Sequence, residues 1–271
     1  MKNKRLIILF SILVFFVVLI VLSSTLFTLQ KLSINWMTDK HQLKEVKDVE
    51  ITESIALGES IFLVNKEEIA NKLEKQHPYL RVVGLETKFP NKIVVHTAER
   101  EELFAIKRSD GKYAILDEYG KVLDCSMSSS KFVELSNSSL GGAPIEVDLN
   151  MSIQDSDIVE GEFIKVQSVR NLLANLAYSF RQSSYIPATA KGVFKYIKVE
   201  TSINVDNNEK EDIVNIQTRR GIVIKLKDAK NYTTDKLLLG LATYNEMHKK
   251  GDVNGTITVF YSDKLDKQVA Y

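Results

Sequence analysis

The stretch Tyr79-Leu80-Arg81-Val82-Val83-Gly84-Leu85-Glu86-Thr87-Lys88-Phe89-Pro90-Asn91-Lys92-Ile93-Val94-Val95-His96-Thr97-Ala98-Glu99 holds two strand-like runs around a short link. In Lys92 to Glu99, the residues Ile93, Val95 and Thr97 share one face, with Val94, His96 and Ala98 on the other. Successive side chains of a strand point to opposite sides, so this alternation is the period-two signature. Tyr79 to Thr87 has the same strand character, and the link Phe89-Pro90-Asn91-Lys92 supplies the Pro and Asn of a hairpin turn. A lone hairpin is marginal in water, so neighbouring elements must cover one of its faces.

Upstream of the hairpin, Pro78 cannot continue a helix, and His77 precedes it as a helix end. That helix begins after Val64-Asn65, where Asn65 can cap and Glu68 is spaced for a capping box, and Ile69 and Leu73 fall at i, i+4. An earlier helix is expected over Leu43 to Ile55. Before it, Leu32, Ile34 and Trp36 alternate in a strand over Gln30 to Met37. The order strand, helix, helix, strand, strand over residues 30–99 predicts an α+β unit, a three-stranded sheet covered on one face by two helices.

Further upstream, residues 6–29 carry no charge and are dominated by Leu, Ile, Val and Phe. As a helix they extend roughly 36 Å, enough to cross a hydrocarbon core of about 30 Å. A cleaved signal peptide would need a shorter apolar stretch and a small-residue cleavage site, whereas this run ends in Ser23-Ser24-Thr25-Leu26-Phe27-Thr28. The run therefore reads as an uncleaved transmembrane anchor. Lys2, Lys4 and Arg5 make residues 1–5 a cytoplasmic tail, which puts the body outside the cytoplasmic membrane.

Beyond Arg100 the pattern predicts a second, larger domain over 100–262, a mixed β-sheet with two helices. Tyr113 to Leu116 and Lys121 to Leu123 flank a type I turn at Asp117-Glu118-Tyr119-Gly120. Ser126 to Asn150, rich in Ser, Asn and Gly, reads as an irregular connection with one or two short strands. Val169, Leu172, Leu173, Leu176 and Phe180 mark a helix near 164–182. Strand character returns at Phe194 to Asn204, Ile213 to Thr218 and Gly221 to Lys227, with an exposed loop at Asn204 to Asp212. A last helix runs from Thr233 or Thr234 to Gly251, ahead of a strand at Thr256 to Tyr261 and a polar tail over 263–271.

The 271 residues hold 36 Lys plus Arg against 35 Asp plus Glu, which excludes nucleic-acid binding driven by bulk charge. One cysteine, Cys125, excludes a disulfide scaffold. None of the familiar hydrolase, zinc, Walker or redox motifs is present, and His41, His77, His96 and His248 are isolated in sequence. No catalytic, cofactor or metal site is expected. Glu99-Arg100-Glu101-Glu102 reads as a charged domain boundary rather than paired catalytic carboxylates, because adjacent strand residues face opposite ways. The last strand is different. Thr256, Thr258 and Phe260 alternate with Ile257, Val259 and Tyr261, so both faces carry β-branched or large apolar groups. As a late strand it is a candidate edge, with free backbone groups that could take up a partner's strand.

A short basic tail, one span, then Gly58-Glu59-Ser60-Ile61-Phe62-Leu63-Val64-Asn65, a helix, Pro78-Tyr79-Leu80-Arg81-Val82-Val83, Lys88-Phe89-Pro90-Asn91-Lys92-Ile93-Val94-Val95 and Glu99-Arg100 together resemble the POTRA domain of the FtsQ/DivIB bacterial cell-division family. The likeness continues through Gly111 to Leu123, Lys236-Leu237 and the closing strand. Two features depart from the family pattern. The first strand ends in Trp36-Met37-Thr38-Asp39 without the usual Gly, and Glu102 replaces the Pro common after the Glu-Arg pair. The resemblance implies a non-enzymatic divisome scaffold that binds two small single-span proteins, of the FtsB/DivIC and FtsL kinds. It also implies a part in regulating septal peptidoglycan synthesis and a place at the division septum. By the same resemblance, Thr256, Ile257, Thr258, Val259, Phe260 and Tyr261 receive the FtsB/DivIC-type strand. The readings from other classes are a membrane-anchored extracellular cell-wall hydrolase and a ligand-sensing domain.

Overall fold

A computed structural model describes residues 2–36, 56–137, 142–149, 153–203, 210–229, 231, 233–252, 254–262 and 267–271. The chain divides into two compact units, Met1–Arg100 and Glu101–Tyr271.

The first unit opens with helix α1 (Lys2–Leu26). Its described side chains over 10–21 are all exposed, and every one except Ser11 is apolar. Among the described residues no helix is long and apolar enough to cross a membrane. Next come β1 (Lys31–Trp36), α2 (Lys66–Gln76), β2 (Leu80–Lys88) and β3 (Lys92–Glu99), with the strands ordered β1-β3-β2. β2 and β3 form the antiparallel hairpin expected from their alternation, with a bulge at Val82/Gly84, and β1 runs parallel to β3 from Lys31↔Lys92 to Trp36↔Thr97. Asn65 caps α2, its Oδ1 accepting from the backbone N–H groups of Glu67 at 3.1 Å and Glu68 at 3.2 Å. The helix then lays Ile69 and Leu73 on Leu80, Ile93 and Val95. The helix expected at Leu43 to Ile55 lies outside the described residues.

The charged run read as a domain boundary does mark the division between the two units, and Arg100 within it has a second role. Its side chain is buried, its Nη2 donates to Glu74 Oε2 at 2.7 Å, and the other Glu74 oxygen accepts from the Val82 N–H at 2.8 Å. A guanidinium can be taken from water only when paired, and here the pair fastens α2 to the hairpin.

The second unit is built on a nine-stranded mixed sheet, ordered β12-β11-β10-β9-β8-β7-β4-β5-β6. These strands are β4 (Phe104–Lys107), β5 (Tyr113–Leu116), β6 (Val122–Met127), β7 (Ile145–Leu149), β8 (Phe194–Ile203), β9 (Lys210–Thr218), β10 (Ile222–Leu226), β11 (Gly255–Ser262) and β12 (Lys267–Ala270). The turn between β5 and β6 forms as its sequence implies. Asp117 Oδ1 accepts from the N–H groups of Tyr119 and Lys121, both at 2.8 Å, and Gly120 takes a φ of 78°.

Two helices were expected here and four are described: α3 (Ser129–Asn137), α4 (Gln167–Gln182), α5 (Pro187–Val193) and α6 (Thr233–Lys250). The Ser-rich stretch is a helix because Ser128 Oγ accepts from the Lys131 N–H at 3.3 Å and Phe132 stacks on Tyr113, ring centroids 4.0 Å apart. That contact covers one face of the β4 and β5 end, while Val169, Leu173, Leu176 and Phe180 of α4 join the main core with Phe104 and Ile106. β4 and β5 are therefore buried on both faces and read as continuous apolar runs rather than alternations.

Candidate functional site

The end of the large sheet nearest the C-terminus is built by a β-α-β crossover followed by a hairpin. β10 and β11 are parallel neighbours, Ile222↔Gly255 through Leu226↔Val259, and α6 makes the connection between them. Leu237, Leu241 and Tyr244 of α6 are buried in the same core as Ile224, Leu226, Ile257 and Val259. Gly240 lets the helix approach the strands closely. A Cβ there would lie 2.7 Å from Ile224 Cγ2 and 3.3 Å from Val259 Cγ2. Lys236 is wholly buried, and its ammonium donates to the carbonyl of Asp228 at 2.7 Å and sits 3.5 Å from the Asp228 carboxylate.

The six residues read from the sequence as a partner-binding edge all lie in β11. Ile257, Thr258 and Val259 are buried, Phe260 is half-buried, and Tyr261 is exposed. The reading of β11 as the terminal edge is corrected by β12, which pairs with it antiparallel from Val259↔Ala270 to Ser262↔Lys267. The reading of 263–271 as a trailing tail is corrected at the same point. Polar residues such as Lys267 and Gln268 hide a strand whose stability comes from its neighbour: Tyr271 exchanges two backbone hydrogen bonds with Thr258, at 2.8 and 3.2 Å, and its ring meets Phe260 edge-on at 5.7 Å.

Among the described residues, the free edge at this end of the sheet belongs to β12. Antiparallel pairs alternate between hydrogen-bonded and non-hydrogen-bonded, and Thr258/Tyr271 is of the bonded kind. Phe260/Val269 and Ser262/Lys267 are then bonded too, which leaves the backbone N–H and C=O of Gln268 and Ala270 directed outward. Such a row is a template for strand addition. Gln268 also has a buried Oε1 without a hydrogen-bond partner among the described residues.

A second feature of the unit is a cleft of about 670 Å³ where β4 and β7, paired only at Phe104↔Ile145 and Ala105↔Glu146, lead apart. Its polar groups largely engage one another. Tyr196 donates to Asp148 at 2.7 Å and Tyr113 donates to Glu146 at 3.0 Å; burial beside these carboxylates raises both phenols, Tyr113 to about 12. The backbone N–H of Ser109 donates to Asp155 at 3.2 Å, and hydrogen bonds from Ser109 hold that carboxyl low. Arg108 lies 3.9 Å from the same group, with its Nε buried and without a hydrogen-bond partner among the described residues.

The histidines stay separate in their surroundings. His77 ends α2, His96 contacts Asn35 and Glu86, and His248 contacts Arg220, while His41 lies outside the described residues. Burial raises the Cys125 thiol, which disfavours the thiolate. Among the described residues no group of three or more His, Cys, Asp or Glu is placed to hold a metal ion.

Residues 40–100 match the family of POTRA domains of the FtsQ type. The chain is 35% identical over 83 residues to a cell division protein DivIB of Clostridium tetani, covering 30% of this chain and 31% of that protein. It is 28% identical over 125 residues to a cell division protein DivIB of Clostridium botulinum, covering 45% and 46%. The matches thus span less than half the length of either relative. The matched region holds the capped helix α2 and the β2-β3 hairpin, so residues 40–100 carry a POTRA domain of the FtsQ type, and the chain is similar over part of its length to cell division proteins DivIB.

Proposed function

We propose that this chain is a non-enzymatic, membrane-anchored component of the divisome, with residues 1–5 in the cytoplasm and both folded units outside the cytoplasmic membrane at the septum. It binds small single-span division proteins of the FtsB/DivIC and FtsL kinds and through them helps regulate septal peptidoglycan synthesis. The cell-division relatives support the setting, and the uncharged run over 6–29 supports the anchor. So does the exposure of apolar side chains all round α1 over 10–21, since a helix apolar on every side needs apolar surroundings.

The observation that carries the binding reading is the outward backbone of Gln268 and Ala270 at the end of a nine-stranded sheet. An FtsB/DivIC-type strand adds beside β12, not beside β11. Main-chain hydrogen bonds supply its sequence-tolerant part, and Phe260, Tyr261 and Tyr271 offer aromatic surface beside it. Because both proteins are anchored in one membrane, modest intrinsic affinity suffices.

The test is co-purification of the tagged full-length chain with co-expressed FtsB/DivIC-kind and FtsL-kind proteins from detergent-solubilised membranes. Ala270→Pro removes one outward N–H and no bond to β11. The reading expects at least a tenfold loss of complex from this variant with an unchanged circular dichroism spectrum. Undiminished complex with folded Ala270→Pro would refute it.

A further inference from the structure

Three segments of the first unit converge where α1 stops. Residues just past the helix are tied to the loop before α2: Leu29 N–H donates to Glu59 at 2.8 Å, Ile61 N–H to Phe27 at 2.8 Å and Gly58 N–H to Leu29 at 3.0 Å. The tip of the β2-β3 hairpin joins them. Gln30 N–H donates to the Asn91 carbonyl at 2.9 Å, and the Asn91 side chain returns a bond to Gln30 Oε1 at 2.8 Å. The rings of Phe27, Phe62 and Phe89 then form a continuous ladder, with centroids 5.3 and 5.5 Å apart.

This corner has two sides. Leu29 and Ile61 point inward and are buried in the core of the unit. Their neighbours point out, with Phe62 63%, Leu63 81% and Phe89 63% exposed. Three large apolar groups held out by hydrogen-bonded backbone form a patch rather than scattered surface residues. Lys88 and Lys92 flank the Phe89 tip. An apolar tip flanked by two lysines, of which Lys88 is ion-paired with Glu86, matches the boundary between acyl chains and headgroups, where long cationic side chains reach back to the polar layer.

Distance selects the occupant. From Leu26, the last residue of α1, to Leu29 the chain covers at most about 11 Å. The headgroup layer on each side of a bilayer is about 5–8 Å deep, and interfacial apolar groups enter it by about 5–10 Å. We propose that Phe62, Leu63 and Phe89 insert into the outer phospholipid interface of the membrane that α1 enters, so that the first unit rests on the lipid surface at this corner. The inference rests on the reading of α1 as a membrane span.

The test uses the full-length chain with Cys125→Ser, reconstituted in phosphatidylethanolamine and phosphatidylglycerol nanodiscs. Single cysteines at Phe16, Leu63 and Asn71 carry a nitroxide, and collision with oxygen and with a water-soluble nickel chelate reports depth. Phe16 probes the span, and Asn71, exposed on α2, serves as the aqueous reference. The expected result is an oxygen-to-nickel ratio at Leu63 several-fold above that at Asn71 and below that at Phe16. A ratio at Leu63 equal to Asn71, with Phe16 in lipid, overturns the interfacial contact and leaves the anchor standing. An aqueous ratio at Phe16 overturns the anchor itself. Shielding of Leu63 from both reagents alike would mean that a protein covers the patch, which also overturns the proposal.

Discussion

The Arg100 guanidinium and the Glu74 carboxylate meet at 2.7 Å with side chains only 4% and 14% exposed, so the residue that ends the first unit is also one of its internal fastenings. Arg100 donates besides to the Leu80 carbonyl through Nε at 3.4 Å, and its own N–H donates to Tyr79 at 2.7 Å. Removing one partner of a buried pair leaves the other charge stranded, at a cost of about 3–5 kcal/mol. Glu74→Ala is expected to lower the unfolding transition of the first unit by about that amount. Denaturant unfolding followed by amide exchange, unit by unit, checks it; an unchanged first unit would show that the pair is dispensable.

Acid should weaken the first unit through His77. Burial lowers its folded pKa below the free value of 6.5, so between the two values the unfolded chain binds the proton and the folded chain does not. The associated stability is complete above about pH 6.5 and declines as pH falls from there toward the folded pKa. The difference in unfolding free energy between pH 7.5 and 5.5 is therefore expected to shrink in His77→Gln relative to the parent chain.

At the far end of the chain, Gly240→Ala places a methyl 2.7 Å from Ile224 Cγ2 on a buried, β-branched strand residue. Overpacking of this kind costs about 1–3 kcal/mol, against a helix-propensity gain of roughly 1 kcal/mol. A net loss of up to about 2 kcal/mol in the second unit is expected by urea titration, and a larger one for Gly240→Val. A stabilised Gly240→Ala would mean that α6 does not sit as closely on β10 and β11 as the structure has it.

Arg219 clamps three separate pieces of chain, donating to the carbonyls of Lys191 at 2.8 Å, Ser136 at 3.0 Å and Ala143 at 3.2 Å. Burial lowers its pKa, and Gly142 is required beside it, since a Cβ there would lie 2.6 Å from Nη2. A lysine ammonium cannot reach three dispersed acceptors from one point. Arg219→Lys is expected to cost about 1–3 kcal/mol and to speed amide exchange in α3 and α5 first.

What could be read in advance was whatever repeats locally. Ile93, Val95 and Thr97 announce β3, and Val169, Leu173, Leu176 and Phe180 announce α4, because each pattern meets a single buried face. The elements that escaped depend on residues far away in sequence. α3 offers one buried apolar side chain, Phe132, and becomes legible only with Tyr113 beneath it. β12 holds Lys267 and Gln268 and is a strand because Thr258 and Phe260 meet it from β11. The candidate edge was thus located one strand too early: alternation marks a strand but cannot say which of two neighbours lies outermost. Arg100, charged among charges, gave no sign that it is buried.

The parallel pairing of β1 and β3 has a mechanical consequence. The chain from α1 enters β1 at Lys31, and β3 leaves toward the second unit after Glu99, so a pull between those exits draws two codirectional strands past each other lengthwise. That is a shear geometry. Six register pairs, Lys31↔Lys92 to Trp36↔Thr97, resist together instead of opening one at a time like a zipper. A small three-stranded sheet arranged this way transmits traction between its two ends until the whole ladder fails at once.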